Sequence, residues 1–335
     1  MDQKLLTSKN LTKNQTEFKM IKATLPIATA MTMLLSTAAF AQDVVIGVPN
    51  WASAAATANI LKIAIEDNLG LEVALQNGTN PIIFEAMDTG SMHVHPEVWM
   101  PNQQNLYDTF VTERGSVAMN PNTVLSDQNV CVTRATQERT GIVALSDLTD
   151  PIMSANFDTD GDGMGEMWIG GAGWASTNVE KIRAKSYGYA ETMQLMEMDE
   201  ALAMAQVDAA IAQDKNIVFY CYTPHHMFSL YDLVKLTEPA YDAAQWTVVQ
   251  PTDDPNWLEV STAPTAWDAT RLHVFYSIAL ADTQPLAANM LANVSFNTEQ
   301  VNGMGYALSV EGNDPAEFAR EWVDANGSLV DAWFQ

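Results

Sequence analysis

Hydrophobic and polar positions along the chain follow two periods, one typical of strands and the other of helices. In the first part, short apolar runs between turn residues predict buried strands at 44–48, 71–75 and 92–94. Apolar residues four positions apart predict a helix between Ser53 and Gly70, and a second helix at about 81–89. This strand–helix–strand order is typical of a parallel sheet flanked by helices.

The pattern starts again near residue 130 and continues to the end of the chain. It predicts strands at 130–134, 169–173 and 217–222, and helices at 178–187 and 199–215. After Pro239 it predicts four more helices, at 268–281, 285–294, 297–308 and 315–325. We therefore expect an α/β fold with parallel-rich sheets in two lobes, joined by two crossover strands that act as a hinge. The expected boundaries are 42–130 and 223–335 for lobe I, and 131–222 for lobe II.

Residues 1–41 have the features of a leader, with a secretory signal peptide at 20–41. Lysines flank its start, an apolar run follows at 25–35, and Ala39-Phe40-Ala41 has the small-x-small form of a cleavage site. No later stretch approaches the ~18 consecutive apolar residues of a membrane helix. Because no cysteine stands directly after the cleavage site, we expect a free periplasmic protein that begins at Gln42.

The formal net charge of −25 at pH 7 excludes polyanions as partners. So acidic a chain would repel nucleic acid and anionic membrane surfaces, whereas it would attract a cationic ligand. The leader carries more lysines than acidic residues, so cleavage would make the mature protein still more acidic.

The two cysteines, Cys131 and Cys221, fall at the two predicted crossovers. In an oxidising compartment a single disulfide is the simplest expectation, and it would join the hinge strands. Two buried thiols are the alternative, because an unpaired cysteine packs as a small hydrophobic residue.

Aromatic residues stand at the ends of predicted strands, namely Trp51, Trp99, Trp174 and Tyr222. Turns after strands are where α/β sheets place ligand contacts. A methylated ammonium group donates no hydrogen bond, so several aromatic faces are the natural way to bind it. The pattern therefore predicts a receptor for a small quaternary or methylated amine. Core packing is the alternative for any single tryptophan, and it is our interpretation of Trp322 and Trp333 in the terminal helices.

Four motifs around these residues occur in order: Asn50-Trp51-Ala52-Ser53-Ala54, Glu97-Val98-Trp99-Met100-Pro101, Gly173-Trp174-Ala175-Ser176 and Tyr222-Thr223-Pro224-His225-His226-Met227-Phe228. Together they resemble the substrate-binding proteins of glycine betaine/choline-type ABC transporters, and the resemblance spans essentially the whole mature chain. It implies the two-lobed periplasmic-binding-protein fold of type II, which closes on a ligand and delivers it to a membrane permease and its ATPase. We expect a monomer without catalytic activity.

The resemblance implies roles for individual residues. Trp51, Trp99 and Trp174 correspond to members of an aromatic cage. The segment Tyr222–His225 matches the family's Trp-x-Pro-His segment, but Tyr222 stands where tryptophan is usual. A fourth wall would then come from elsewhere, with three candidates that the sequence does not rank: Trp246, Trp257 and Trp267.

Glu97 is the residue on which the choice of ligand depends most. Side chains two positions apart on an extended segment share a face, which would point Glu97 into the same pocket as Trp99. A carboxylate there would repel the carboxylate of glycine betaine and favour trimethylamine N-oxide or choline. If Glu97 points away, glycine betaine or dimethylsulfoniopropionate returns to contention, with backbone N–H groups or His225 holding the carboxylate of the ligand.

A further motif, the acidic loop at 158–166, resembles the front half of a calcium loop, with alternating carboxylates followed by glycine. The five predicted ligands are Asp158, Asp160, Asp162, Met164 through its carbonyl, and Glu166 directly or through water. Ile169 stands where a complete EF-hand has glutamate. We therefore expect a structural Ca²⁺ here, with an unloaded acidic turn as the alternative.

The acidic loop is also the centre of the competing class, a secreted metal-dependent enzyme. Against it, the chain lacks the His-Glu-x-x-His and Gly-x-Ser-x-Gly motifs. His93 and His95 alternate along a strand and His225 precedes His226, but no third ligand stands at motif spacing. The sequence therefore favours the transport receptor over an enzyme or a zinc-binding protein.

Overall fold

The computed structural model describes residues 42–335, so the predicted signal peptide at 20–41 lies outside the described residues. In that part of the chain the strands are β1 (Val44–Val48), β2 (Val73–Asn77), β3 (Val94–Met100), β4 (Val117–Met119), β5 (Val124–Thr133), β6 (Gly165–Gly170), β7 (Met193–Glu197), β8 (Val218–Thr223), β9 (Leu233–Lys235) and β10 (Thr270–Ser277). The α-helices are α1 (Ala52–Leu69), α2 (Asn80–Thr89), α3 (Gln104–Leu106), α4 (Arg134–Thr140), α5 (Pro151–Ser154), α6 (Ala175–Tyr187), α7 (Glu200–Ala212), α8 (Met227–Leu230), α9 (Trp257–Val260), α10 (Leu280–Thr283), α11 (Pro285–Asn293), α12 (Thr298–Ser309), α13 (Pro315–Ala325) and α14 (Gly327–Trp333). A π-helical segment, Tyr107–Glu113, follows α3, and short 3₁₀ helices are formed by Leu145–Thr149, Ala155–Phe157, Tyr189–Glu191 and Ala243–Gln245.

These strands form one mixed sheet in the order β2-β1-β3-β10-β5-β8-β6-β7, with β4 beside β10 and β9 beside β5. β1 lies parallel to β2 and β3, and β6 lies parallel to β7 and β8. β10 runs antiparallel to β3 and β5, and β5 runs antiparallel to β8. Helices such as α1 and α6 pack against the sheet. The structure thus confirms the predicted α/β class.

Strand β5 joins the two halves of this sheet. Its residues 124–126 pair with β10, whereas its residues 127–133 pair with β8 and β9. We call β1–β4 with β10 the first half of the sheet, and β6–β9 the second half. The predicted lobe boundaries stay a prediction. Contacts to the second half continue beyond Tyr222, since β9 pairs with β5 and Arg183 of α6 bonds to Glu238 at 2.6 Å.

Helix α1 shows how the sequence builds the core beside the first half of the sheet. Small and aliphatic side chains dominate the ten buried residues among its 18, and it packs against α12 and α13. The predicted stop at Gly70 holds, because this residue takes the left-handed conformation (φ 65°) and its N–H bonds to the Glu66 carbonyl. The rings of Trp322 and Trp333 stack in the same core at 6.2 Å, in keeping with the core-packing interpretation.

The helix predicted at 268–281 is wrong, because residues 270–277 form the strand β10. The sequence Thr-Arg-Leu-His-Val-Phe-Tyr-Ser is rich in β-branched and aromatic residues, which favour strands. Its burial alternates as far as a register shift between His273 and Phe275, which disturbs the period of two. The partners of β10 are β3 and β5, so the contacts that fix it are remote in sequence.

Cys131 of β5 and Cys221 of β8 form a disulfide, with their Cα atoms 5.7 Å apart. The register pairs Asn129 with Cys221 and Cys131 with Phe219, so the bond runs diagonally between neighbouring strands. It therefore ties the strand that joins the two halves to the second half. Among residues 42–335, no helix is long and apolar enough to cross a bilayer.

Candidate ligand-binding site

The predicted aromatic residues meet at one cavity between the two halves of the sheet. Trp51 and Trp174 stand directly before α1 and α6 at their N-caps. Trp99 and Tyr222 lie near the ends of β3 and β8. The cavity and its opening to solvent together contain about 390 Å³ of empty space, and the lining residues are Trp51, Asn80, Trp99, Asn102, Gln103, Trp174, Ala175, Ser176, Tyr220 and Tyr222. These lining residues include no side chain of Lys, Arg, Asp or Glu.

Neighbouring rings of the cavity stand nearly at right angles. The ring centroids of Trp51 and Trp174 are 5.8 Å apart at 82°, and those of Trp99 and Tyr222 are 5.3 Å apart at 86°. Trp174 also meets Tyr222 edge to face, at 6.2 Å and 79°. Such pairs are favourable between aromatic rings, and they make the walls of a box rather than a stack. We call these four side chains the aromatic cage.

Glu97 lies behind the aromatic cage and is not among the lining residues. Its Oε1 accepts hydrogen bonds from the indole N–H groups of Trp51 at 2.8 Å and Trp99 at 3.1 Å. The hydroxyl of Ser53 donates to the same oxygen at 3.0 Å. Glu97 is 3% exposed, and its Oε2 has no hydrogen-bond partner among the described residues. One carboxylate oxygen therefore orients two rings of the cage.

The environment of Glu97 changes its acidity. Burial raises the pKa of Glu97 to about 7, although the hydrogen bonds from Trp51, Ser53 and Trp99 act to lower it. The charge of Glu200 adds to the increase in the pKa. The carboxyl group therefore changes its protonation state near neutral pH, and the unpartnered Oε2 is the natural place for the proton.

Tyr222 is held from behind by Glu200, the first residue of α7. Oε1 of Glu200 accepts hydrogen bonds from the Tyr222 hydroxyl at 2.6 Å and from His225 Nε2 at 2.5 Å. Burial acts to raise the pKa of Glu200, but the hydrogen bond and charge of His225 and the Tyr222 hydroxyl hold it below its usual value. His225 Nδ1 accepts the N–H of Met227 at 3.1 Å. With both nitrogens engaged, His225 is not placed to hold a ligand's carboxylate.

The three tryptophans considered for the fourth wall do not line the cavity. Trp267 donates to Glu180 at 2.8 Å, Trp246 packs against Trp267 at 5.6 Å, and Trp257 begins α9. Tyr220 and Tyr222 line the cavity together with the three predicted tryptophans instead. The fourth wall of the cavity is therefore formed by tyrosine, and none of the three candidate tryptophans takes part in it.

The two halves of the sheet meet at the cavity. Trp174, from the second half, donates its indole N–H to the side chain of Asn50, near the end of β1, at 2.9 Å. Next to it, Gly173 lies so close to Thr79 that an added Cβ would come within 3.3 Å of that side chain. The cage is therefore assembled, with rings from both halves in contact.

The acidic loop gathers three of its predicted ligands. Oxygen atoms of Asp158, Asp160 and Glu166 lie within 4.8 Å of one another, the only group of potential metal ligands of this size among residues 42–335. Asp162 is outside that group, and its carboxylate accepts the N–H of Met164 at 2.8 Å. Carboxylates of the loop also accept backbone N–H groups at Gly161 and Gly163, which fixes the turn. His93, His95, His225 and His226 form no such group.

Some residues of the site carry no signal in the sequence. Glu200 lies 22 residues before Tyr222, and Asn80 lies 15 residues before its partner His95. Tyr220 stands two residues before Tyr222 on β8, and this spacing is the one clue that both rings face the cavity. The others depend on how the helices pack against the strands.

Comparison with known proteins identifies the family. The family model described as the substrate binding domain of ABC-type glycine betaine transport systems matches residues 42–325. The chain belongs to this family. Within it, the chain is 22% identical over 213 residues to the glycine betaine-binding periplasmic protein OusX of Dickeya dadantii. That alignment covers 62% of the chain and 63% of OusX, so it spans less than two thirds of the relative.

Solved structures give the fold of this family member. Lactococcal OpuAC, in its closed form with glycine betaine, has a TM-score of 0.66 at 19% identity, covering 87% of the chain and 99% of OpuAC. A choline binding protein of an ABC transporter, in complex with choline, has a TM-score of 0.68 at 18% identity, covering 87% and 90%. The fold is therefore that of the type II periplasmic binding proteins, as the sequence predicts.

Proposed function

We propose that this chain is the periplasmic receptor of an ABC importer for a small methylated amine. Trimethylamine N-oxide and choline are the ligands that we favour, and glycine betaine and dimethylsulfoniopropionate come next. The observation that carries the proposal is the aromatic cage, in which Trp51, Trp99, Trp174 and Tyr222 surround a cavity without a charged side chain. Each cation–π contact contributes about 0.5–2 kcal/mol, so four rings together contribute about 2–8 kcal/mol to binding in a closed cleft.

The electrostatics of the cage support a ligand without a carboxylate. Glu97 and Glu200 are both buried directly behind its walls, Glu200 as a carboxylate and Glu97 as a carboxylate above about pH 7, and the lining offers no cation to a carboxylate on the ligand. A negative field behind aromatic faces favours a positive head group. Ala175 and Ser176, in the first turn of α6, line the cavity, and helix N-termini attract oxygen ligands. These two residues are the reason that glycine betaine and dimethylsulfoniopropionate stay in contention.

The relatives support the transport role. OusX is named for binding glycine betaine in the periplasm, and the two solved structures hold glycine betaine and choline. We therefore propose that this chain works in the periplasm as a monomer, with a permease and an ATPase as its partners. The alternative of a metal-dependent enzyme gains no support, since the family model includes the acidic loop and describes a substrate-binding domain.

Isothermal titration calorimetry of the mature protein, residues 42–335, tests the proposal. Trimethylamine N-oxide, choline, glycine betaine and dimethylsulfoniopropionate are titrated separately. We expect tight binding of one of the first two, without turnover. If none of the four ligands gave a heat of binding, the receptor proposal would be overturned. If glycine betaine or dimethylsulfoniopropionate bound more tightly than the other two, the proposed order of ligands would be reversed.

Replacing Trp174 by alanine tests the cage itself. Trp174→Ala removes one ring face and the bond to Asn50, so we expect the Kd to rise at least tenfold, equivalent to about 1.4 kcal/mol. The matched control is Trp257→Ala, a tryptophan outside the cavity, for which we expect an unchanged Kd. Equal affinities of the two variants would reject the cage.

We further propose a structural Ca²⁺ at the acidic loop. Three carboxylates are close enough to share one ion, and oxygen is the ligand that Ca²⁺ prefers. The loop runs directly into β6, whose end leads to Trp174. A bound ion would therefore brace the segment that carries one wall of the cage.

A further inference from the structure

One polar group of the cavity has its orientation fixed by its neighbours. Asn80, the first residue of α2, is 4% exposed and lines the cavity. Its Oδ1 lies 2.8 Å from Nε2 of His95, which is completely buried on β3. The direction of this hydrogen bond decides which end of the Asn80 amide remains for a ligand.

The backbone settles that direction. His95 Nδ1 lies 3.3 Å from the backbone nitrogen of Glu97, and a backbone N–H can only donate. Burial lowers the pKa of His95 to about 3, so the ring is neutral and carries one N–H. Because Nδ1 accepts, Nε2 carries the hydrogen and donates to Asn80 Oδ1. The oxygen of the amide is therefore taken.

The amide nitrogen of Asn80 is left for the cavity. No acceptor among residues 42–335 lies within hydrogen-bond distance of Nδ2, and Nδ2 is not one of the fully enclosed unpaired atoms. The amide of Asn102, on the same lining, is instead engaged at both ends by Gln128, at 2.9 and 3.0 Å. Asn80 thus differs from Asn102 in presenting a free, oriented donor.

We infer that the Asn80 amide is the hydrogen-bond donor that recognises an oxygen atom on the bound methylated amine, and that His95 is the positioning residue that holds it. This inference rests on the proposed function. The aromatic rings select the methyl groups but cannot distinguish a methyl from an oxygen at the fourth position of the nitrogen. A donor at the cage wall makes that distinction, and an N–O oxygen is its best partner because it carries a formal negative charge.

The test compares two ligands of one size, trimethylamine N-oxide and tetramethylammonium, by calorimetry. The ratio of their affinities measures recognition of the oxygen, whereas binding of tetramethylammonium reports an intact cage. In Asn80→Asp the donor becomes an acceptor, so we expect the affinity for the N-oxide to fall at least tenfold. Tetramethylammonium should bind as well as before or better. Asn80→Ala gives the same comparison without an added charge, should the first variant not fold.

His95 is tested by its effect on the same ratio. His95→Leu releases the Asn80 amide, so the preference for the N-oxide should fall while tetramethylammonium still binds. His95→Gln retains an N–H donor and should restore part of the preference. The control is Asn59→Asp, a buried asparagine of α1 that bonds to the Ala55 carbonyl away from the cavity. Its ratio should equal that of the unmodified protein.

The outcomes separate the two claims. If the unmodified protein binds neither of these two ligands, nor choline, glycine betaine or dimethylsulfoniopropionate, the proposed function fails. If it binds one of them but not the N-oxide, the function stands and the role of Asn80 as a donor to an N-oxide is overturned. If it binds the N-oxide and the Asn80 variants keep the same ratio, the function stands and the role of Asn80 is overturned. If the ratio of N-oxide affinity to tetramethylammonium affinity falls in the Asn80 variants but not in His95→Leu, Asn80 is the donor and His95 does not position it.

Discussion

Individual carboxylates behind the cage govern its geometry although they do not line the cavity. Glu97 binds two indole N–H groups through one oxygen, and Glu200 binds the hydroxyl of Tyr222. The three walls formed by Trp51, Trp99 and Tyr222 thus have their polar edges bonded behind the cage rather than in the cavity. Tryptophan and tyrosine suit this arrangement better than phenylalanine, because they have a polar edge by which they can be held.

The raised pKa of Glu97 predicts a pH dependence of stability. Folding raises the pKa of Glu97 from 4.5 to about 7. Between these two pH values the carboxyl group is protonated in the folded state and ionised in the unfolded state, so protonation stabilises the folded state. The contribution is complete below about pH 4.5 and is lost as the pH rises through 7. A shift of this size corresponds to about 3 kcal/mol.

Urea unfolding of Glu97→Gln and of the unmodified protein at about pH 5 and about pH 8.5 measures this effect. A glutamine side chain cannot ionise, so the stability of this variant should fall less between the two pH values. Glu85→Gln, at an exposed position of α2, is the control and should follow the unmodified protein. Parallel profiles for all three proteins would show that Glu97 does not titrate in this range.

Tyr222→Phe tests the bond behind the cage. The variant keeps the ring but deprives the buried carboxylate of Glu200 of one donor, so we expect a loss of about 2 kcal/mol in the free energy of unfolding. Because the ring face remains, the Kd for the ligand should change less than in Trp174→Ala. Tyr241→Phe, at an exposed tyrosine, should change neither quantity. A Kd that rises with unchanged stability would place the hydroxyl in contact with the ligand instead.

At the level of helices and strands, the acidic loop is the element whose stability we expect to depend on an ion. Chelation of Ca²⁺ should lower the Tm, because an ion that binds only the folded loop stabilises the protein by mass action. Asp158→Asn should abolish this sensitivity, since two backbone N–H groups and the proposed ion share that carboxylate. Asp108→Asn, outside the loop, should retain it. If chelation left the Tm of the unmodified protein unchanged, the proposal of a structural Ca²⁺ in the acidic loop would be contradicted.

Elements with a local signal are the ones that the sequence predicts well. Gly70 and Gly90 each end a helix in the left-handed conformation, and α11, α12 and α13 begin within one residue of their predicted starts. β10 is missed because its partners lie more than 140 residues away, and a register shift breaks its alternation. Pairing of this kind leaves no trace in a window of about a dozen residues.

The site divides in the same way. Trp51, Trp99, Trp174 and Tyr222 can be found because each stands at the end of a strand, and strand ends meet at one edge of a sheet. The proximity of Glu97 to Trp99 follows from the extended backbone, but its position behind the rings does not. Asn80 and Glu200 are missed, since only the packing of α2 and α7 against the strands brings them to the cage.

At the scale of the whole molecule, the disulfide links β5, the strand that joins the two halves of the sheet, covalently to β8 of the second half. Cys131 and Cys221 are 90 residues apart in sequence, so the bond restricts a long loop of the unfolded chain. Replacing both by serine should lower the free energy of unfolding by about 2–5 kcal/mol. Urea unfolding with and without reductant checks this, with the double variant as the control that reductant should not affect. Equal stability of the two proteins would contradict it.

The position of β10 has a consequence for the order in which the molecule can be completed. Strands β1 to β3 leave the edge of β3 unpaired until residues 270–277 are available to cover it. If the chain is synthesised from residue 42 onwards, β3 keeps unpaired backbone N–H and C=O groups while residues 101–269 are added. Such an edge can pair with another chain and so promotes aggregation. Pairing of residues 270–277 with β3 ends this exposure, so the sheet can be completed only when the C-terminal part of the sequence is present.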